Sequence, residues 1–228
     1  CGSTHPELLQ ATVKGVNADL GIALDGDGDR LVMVDNTGKL IDGDQLLFVI
    51  ANAWHNSGQL NGPVVGTLMS NLGLEKALTA KGIEFLRANV GDRYVLELLQ
   101  EHDGMIGGEA SGHLICLDKT TTGDGMVSAL QVLTILSESD KCLSELAAEM
   151  PKFPQTMINV RVDSKPDLDS PAVKSAVSAV EQTLGDAGRV VLRASGTEPV
   201  IRVMIEGEDD VQVEQLASQL ADAVRAIA

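Results

Sequence analysis

Residues 63 to 101, PVVGTLMSNLGLEKALTAKGIEFLRANVGDRYVLELLQE, decide the fold. Short apolar runs alternate there with amphipathic ones. Pro63–Thr67 reads as a strand, Leu72–Lys81 as a helix ended by Gly82, Ile83–Ala88 as a strand and Asp92–Glu101 as a helix. Such alternation predicts a layered α/β domain. Upstream, Pro6–Gly15 predicts a helix, with Ser3 or Thr4 as its cap. Ala18–Leu24 and Leu31–Asp35 predict strands, the Asn36-Thr37-Gly38 turn lets Lys39–Ile41 pair back, and Asp44–Trp54 predicts a helix. Downstream, Met105–Glu109 and His113–Leu117 are short strands about a glycine-rich turn. Helices follow at Asp124–Leu136 and Leu143–Met150, and the Leu, Val and Met stripe of the first reads as core.

Pro151-Lys152-Phe153-Pro154 breaks this rhythm as a linker. Beyond it lie a strand at Thr156–Val162, a helix at Pro171–Leu184, strands at Val190–Ala194 and Val200–Glu206, and a helix at Val211–Ile227. That β-α-β-β-α order predicts a small α+β domain with an antiparallel sheet.

The 228 residues carry 17 basic and 33 acidic side chains, a net charge of −16. Such a surface repels phosphate backbones, which argues against a nucleic-acid or anionic-membrane binder. An anionic ligand would need arginines concentrated locally. Aromatic residues are 2% of the chain, so the core must be aliphatic. Trp54 and Cys116 read as packing residues. Cys1, Cys116 and Cys142 show no CxxC spacing, which fits a reducing, cytoplasmic setting. No run of 18 apolar residues and no signal-peptide pattern occur. The chain starts at Cys1 rather than Met and reads as a piece of a longer protein.

Three loops could carry chemistry. In Asp25-Gly26-Asp27-Gly28-Asp29-Arg30, three carboxylates at alternate positions converge if the glycines let the backbone curl. Three oxygen donors at one point suit a hard divalent cation, and without one they repel. An EF-hand is excluded, because Arg30 stands where it needs Gly and Asn36 where it needs Glu. In Gly107–His113, Glu109 and Ser111 could bond sugar hydroxyls and His113 could move a proton; a plain glycine hairpin with a structural histidine is the competing reading. In Arg193-Ala194-Ser195-Gly196-Thr197-Glu198-Pro199, with Arg202 beyond, hydroxyls, backbone N–H groups and a guanidinium could surround one phosphate; an ordinary turn with surface ion pairs competes.

Taken together and in this order, DGDGDR, GEASGH and RASGTEP resemble the α-D-phosphohexomutase superfamily. GTLMSNLGLE (Gly66–Glu75), VGDRYVLE (Val90–Glu97), LDKTTTGDG (Leu117–Gly125) and RASGTEPVIRVMIEGED (Arg193–Asp209) resemble its amino-sugar branch. The resemblance spans nearly the whole chain. It implies a preceding-domain remnant at 1–40, a third domain at 41–152 and a fourth at 153–228. It implies Mg²⁺ on Asp25, Asp27 and Asp29, with Arg30 beside the reacting phosphate and His113 near proton transfer. Glu109 and Ser111 would meet sugar hydroxyls, Asp92 and Arg93 would lie near the sugar phosphate, and Arg193, Ser195, Gly196, Thr197 and Arg202 would hold the non-reacting phosphate. The implied reaction interconverts glucosamine 6-phosphate and glucosamine 1-phosphate through a bisphosphate. The family's phosphoserine sits in a Ser-His-Asn-Pro-type loop, and the 228 residues contain none. The chain alone is therefore expected not to turn over, and its unpaired strand edges would favour swapping or a homodimer.

Overall fold

A computed structural model describes residues 1–162, 167–195 and 198–227. Two compact units appear, Cys1–Pro151 and Lys152–Ala228. The first opens with helix α1 (Glu7–Val16) and an antiparallel meander of β1 (Leu20–Leu24), β2 (Leu31–Asp35) and β3 (Leu40–Ile41). The turn between β2 and β3 forms as expected, because the Asp35 carboxylate accepts from Thr37 N, Thr37 Oγ1 and Lys39 N at 2.8, 2.6 and 3.0 Å. Gly38 supplies the left-handed φ of 80° that closes it. The expected cap of α1 does not form. Pro6 occupies the N-cap with no side-chain hydrogen bond, while Ser3 N is engaged by Leu24 O.

Next come α2 (Gly43–Asn56), β4 (Val64–Thr67), α3 (Leu72–Ala80), β5 (Phe85–Ala88), α4 (Asp92–Glu101), β6 (Ile106–Gly108), β7 (Leu114–Cys116), α5 (Gly125–Ser137) and α6 (Leu143–Ala148). The strands form one sheet in the order β5-β4-β6-β7, with β4 parallel to both neighbours and β7 antiparallel. β5 and β6 flank β4 on opposite sides, so the carboxyl ends of all three open onto one edge, where such sheets bind ligands. Val64 packs with α2, α3, α5 and α6, and its neighbour Val65 packs with Val95 and Leu99 of α4. The strand alternation therefore places α4 on one face and the other helices on the opposite one.

Leu31, Met33 and Ile41 of the meander share the larger of these cores with Phe48 and Leu74. Trp54 and Cys116 are buried as expected. The stripe on α5 is core only in part. Ala129 and Val132 are buried, but Met126 and Leu130 are 62% and 53% exposed, because α5 is apolar around most of its circumference and only one side meets the core.

Glu149 joins α3 and α6 at the surface, accepting from Lys81 Nζ at 2.6 Å and Lys141 Nζ at 2.8 Å. The Lys141 and Lys81 ammonium groups hold its carboxyl below the ordinary range. A depressed carboxyl adds stability above its unfolded value, and this is lost as pH falls through the folded value. Glu149→Gln is expected to be less stable than the parent at neutral pH, with the gap closing in acid. Urea midpoints against pH check this.

The second unit consists of β8 (Gln155–Arg161), α7 (Pro171–Leu184), a 3₁₀ turn (Gly185–Ala187), β9 (Gly188–Ala194), β10 (Val200–Gly207) and α8 (Asp210–Arg225). β10 lies between β8 and β9, antiparallel to both, as the predicted α+β order requires. Val203, Ile205, Val213 and Leu220 anchor its core. Among the described residues no helix is long and apolar enough to cross a membrane.

Candidate functional site

β1 and β2 pair as far as Leu24 and Leu31, so residues 25–30 must close a tight loop. Gly28 turns it with φ of 77°. Asp25 Oδ1 accepts from Arg30 N at 3.1 Å, which folds the loop back on itself. Each of Asp25, Asp27 and Asp29 offers an oxygen within 4.8 Å of the others. Desolvation works to raise the Asp25 carboxyl, but the Arg30 N–H and the Arg30 charge hold it below the ordinary range. Asp29 Oδ1 is buried and has no protein partner among the described residues. Three hard oxygen donors with one unsatisfied buried oxygen fit a divalent cation such as Mg²⁺.

The second loop is laced to the first. Leu31 N donates to Gly112 O at 3.0 Å, and Arg30 and His113 form a β-bridge. Gly43 N, at the start of α2, donates to Ala110 O at 3.1 Å. His113 is only 5% exposed, and its Nδ1 lies 3.0 Å from Asp29 Oδ2. Glu109 Oε1 accepts from Gly91 N at 3.0 Å, so the loop leading into α4 is fastened to it. Asp92 and Arg93 open that helix, both exposed, and Arg93 Nε bonds Glu97 Oε1 at 2.8 Å. The stretches 25–30 and 109–113 therefore meet, and the residue just before Asp92 and Arg93 is tied to Glu109.

Sequence reading missed Arg87, which shapes the loop after β4. Its Nη1 donates to Thr67 O and Ser70 O at 2.9 and 2.8 Å, while Nε and Nη2 bond Glu75 Oε2. An arginine inside an otherwise apolar strand was the available signal. Asp44 was missed too; its carboxylate accepts from Asn71 N at 2.7 Å and fixes the end of the same loop.

In the second unit, Arg193 of β9 lies directly across from Arg202 of β10. The Nε of each is buried without a partner among the described residues. Desolvation, then the Arg202 charge, pushes the Arg193 guanidinium down from its ordinary value. Ser195 is buried, its Oγ accepts from Glu198 N at 3.3 Å, and Arg202 Nη2 meets Glu198 Oε2 at 3.2 Å. Gly196 and Thr197 lie outside the described residues.

Residues 42–153 match the family described as phosphoglucomutase/phosphomannomutase, alpha/beta/alpha domain III, and residues 157–223 match its C-terminal domain. The chain belongs to the phosphoglucomutase/phosphomannomutase family. A phosphoglucosamine mutase of Methylococcus capsulatus is 61% identical over 224 residues, covering 98% of this chain and 50% of the relative. One of Legionella pneumophila is 54% identical over 228 residues, covering 100% of this chain and 50% of that one. The chain thus spans about half the length of the curated relatives it matches. Among solved structures of the family fold, an Aspergillus fumigatus N-acetylphosphoglucosamine mutase in complex with GlcNAc-6P and magnesium aligns with a TM-score of 0.83 at 22% identity, over 100% of this chain and 53% of that one. A family protein of Burkholderia thailandensis aligns with a TM-score of 0.79 at 24% identity, over 99% and 51%.

Proposed function

We propose that this chain is the metal- and phosphosugar-binding portion of a phosphoglucosamine mutase, which interconverts glucosamine 6-phosphate and glucosamine 1-phosphate through a bisphosphate. The observation that carries this reading is the 54–61% identity to phosphoglucosamine mutases across nearly all of the chain. The convergence of Asp25, Asp27 and Asp29 supports it independently. In this reading residues 1–40 close a preceding domain, 41–152 form the third and 153–228 the fourth. Unpaired Cys1, Cys116 and Cys142 suit a cytoplasmic enzyme.

Asp25, Asp27 and Asp29 would hold Mg²⁺, which when bound neutralises charge on a transferring phosphoryl group. Arg30, 46% exposed beside the triad, contacts the reacting phosphate. Glu109 and Ser111 orient the sugar through its hydroxyls, and Asp92 and Arg93 close on the sugar-phosphate side. Arg193, Arg202 and Ser195, with Gly196 and Thr197, bind the phosphate that does not react. A phosphate site that accepts either end lets the bisphosphate bind in both orientations, so one end's hydroxyl takes up a phosphoryl group and the other end then returns one. The nucleophile would come from a serine loop that the 228 residues do not contain.

A coupled assay for glucosamine 1-phosphate, with Mg²⁺ and a bisphosphate primer, tests this. It is run on the 228-residue chain and on the open reading frame read upstream of Cys1. Turnover by the longer protein alone, with glucosamine 6-phosphate preferred over mannose and glucose 6-phosphates, is the expected result. Turnover by the 228 residues would overturn the division of labour, and preference for a neutral hexose would overturn the substrate.

A further inference from the structure

We infer that Gly123 is a positioning residue for the metal loop, acting through His113; the inference rests on the reading that Asp25, Asp27 and Asp29 bind a divalent cation. A carboxylate can only accept, so the His113 Nδ1 proton points at Asp29 Oδ2, 3.0 Å away. That contact fixes Asp29 beside the other two carboxylates, and its Oδ1 is buried with no partner among the described residues. The opposite side of the ring is closed. Nε2 is buried with no partner among the described residues, and it lies against the Gly123 backbone. An added Cβ at Gly123 would stand inside contact distance of three ring atoms, 2.6 Å from Cδ2.

Neither partner can retreat. Gly123 is bridged to Ile115 of β7, and Ile115 is 1% exposed. Asp124 caps α5 by accepting from Met126 N and Val127 N, both at 2.9 Å. Gly125 N donates to Gly28 O inside the metal loop at 2.9 Å, and a Cβ on Gly125 would sit 3.0 Å from Arg30 O. The tripeptide Gly123-Asp124-Gly125 is thus a fixed wall: its first glycine admits the imidazole and its last admits the backbone of the metal loop. With Nδ1 facing Asp29 and Nε2 held against Gly123, the His113 ring orients Asp29. Hydrogen-bonded partners behind a metal ligand typically change metal affinity 10–100-fold when removed.

Calorimetric titration with Mn²⁺ tests this on the parent, Asp27→Asn, Gly123→Ala, His113→Ala, the Gly123→Ala/His113→Ala double variant and the exposed control Thr121→Ala. Thermal melts accompany each. The expected result is roughly 10–100-fold weaker Mn²⁺ binding for Gly123→Ala and for His113→Ala. The double variant should be no weaker than His113→Ala, because the added methyl then has no ring to displace. Losses that multiply, or a Gly123→Ala that keeps the parent affinity, would overturn the inference. Should Gly123→Ala not fold, a His113→Ala that binds Mn²⁺ like the parent overturns it equally, and a weakened one supports it. A parent that binds no more Mn²⁺ than Asp27→Asn overturns the metal reading itself, which separates the two failures.

Discussion

Glu206→Ala is expected to destabilise the C-terminal unit by about 3–5 kcal/mol, the cost of stripping one partner from a buried ion pair. Glu206 is fully buried in the central strand β10. Its carboxylate meets Arg189 Nε at 2.6 Å on one neighbouring strand and Gln155 Nε2 at 3.4 Å on the other. The three residues are in register across the sheet, so one side chain ties all three strands. Removing it takes a charged acceptor from the Arg189 side chain, which is 17% exposed. Glu206→Gln keeps the shape and an acceptor and should lose less. Against a typical domain stability of about 5–15 kcal/mol, the alanine change consumes much of the margin. Amide exchange followed separately in residues 1–151 and 152–227 should show collapse of protection in the second stretch alone. A loss under about 1 kcal/mol would mean that the pair is solvated in solution.

Glu206 also shows where sequence reading stops. The run Val200–Glu206 announces a strand by its alternation, and the structure places β10 there almost residue for residue. Nothing local says that β10 is central, because its pairing with β8 joins residues as distant in sequence as Glu206 and Gln155. The same limit governs the first unit. Helices and strands over 63–101 are legible within a residue or two, since each carries its own periodicity and punctuation. The order β5-β4-β6-β7 is not, because it depends on which side of β4 each crossover lands. Element ends drift where a cap decides them: α2 starts at Gly43 because Asp42 accepts from Gln45 N.

The candidate site divides in the same way. The carboxylates of residues 25–29 are legible together because they are near neighbours with glycines between. The fate of His113 is not, since its partner Asp29 lies 84 positions away and burial removes it from solvent. The glycines of TTTGDG look like turn residues, and only the packing shows what each one admits. Met126 and Leu130 look like core because hydropathy does not say which side of a nearly all-apolar helix faces inward.

Arg193 carries the other large effect, and it cuts in two directions. Arg193 and Arg202 stand opposite each other on adjacent strands, a like-charge pairing that costs stability in a sheet. Each keeps a buried Nε without a partner among the described residues, and desolvation with the Arg202 charge already disfavours the charged form of Arg193. A phosphate dianion between them would reverse both costs, supplying acceptors to the two Nε groups and further opposite charge beside Glu198. Arg193→Met is therefore expected to leave the phosphate-free unit as stable as the parent or slightly more so, by up to about 1 kcal/mol. The same change should weaken phosphosugar binding roughly 10–100-fold, the loss of one charge-assisted contact of about 1.5–3 kcal/mol. The signature is a thermal midpoint that rises with added glucosamine 6-phosphate in the parent and stays flat in the variant. Glu198 sharpens the expectation, because it pairs with Arg202 rather than with Arg193. Arg202→Met should release Glu198 and relieve Arg193 at once, so its stability gain should be the smaller of the two. If Arg193→Met melts well below the parent without ligand, the two guanidinium groups are structural, and the phosphate must be held elsewhere.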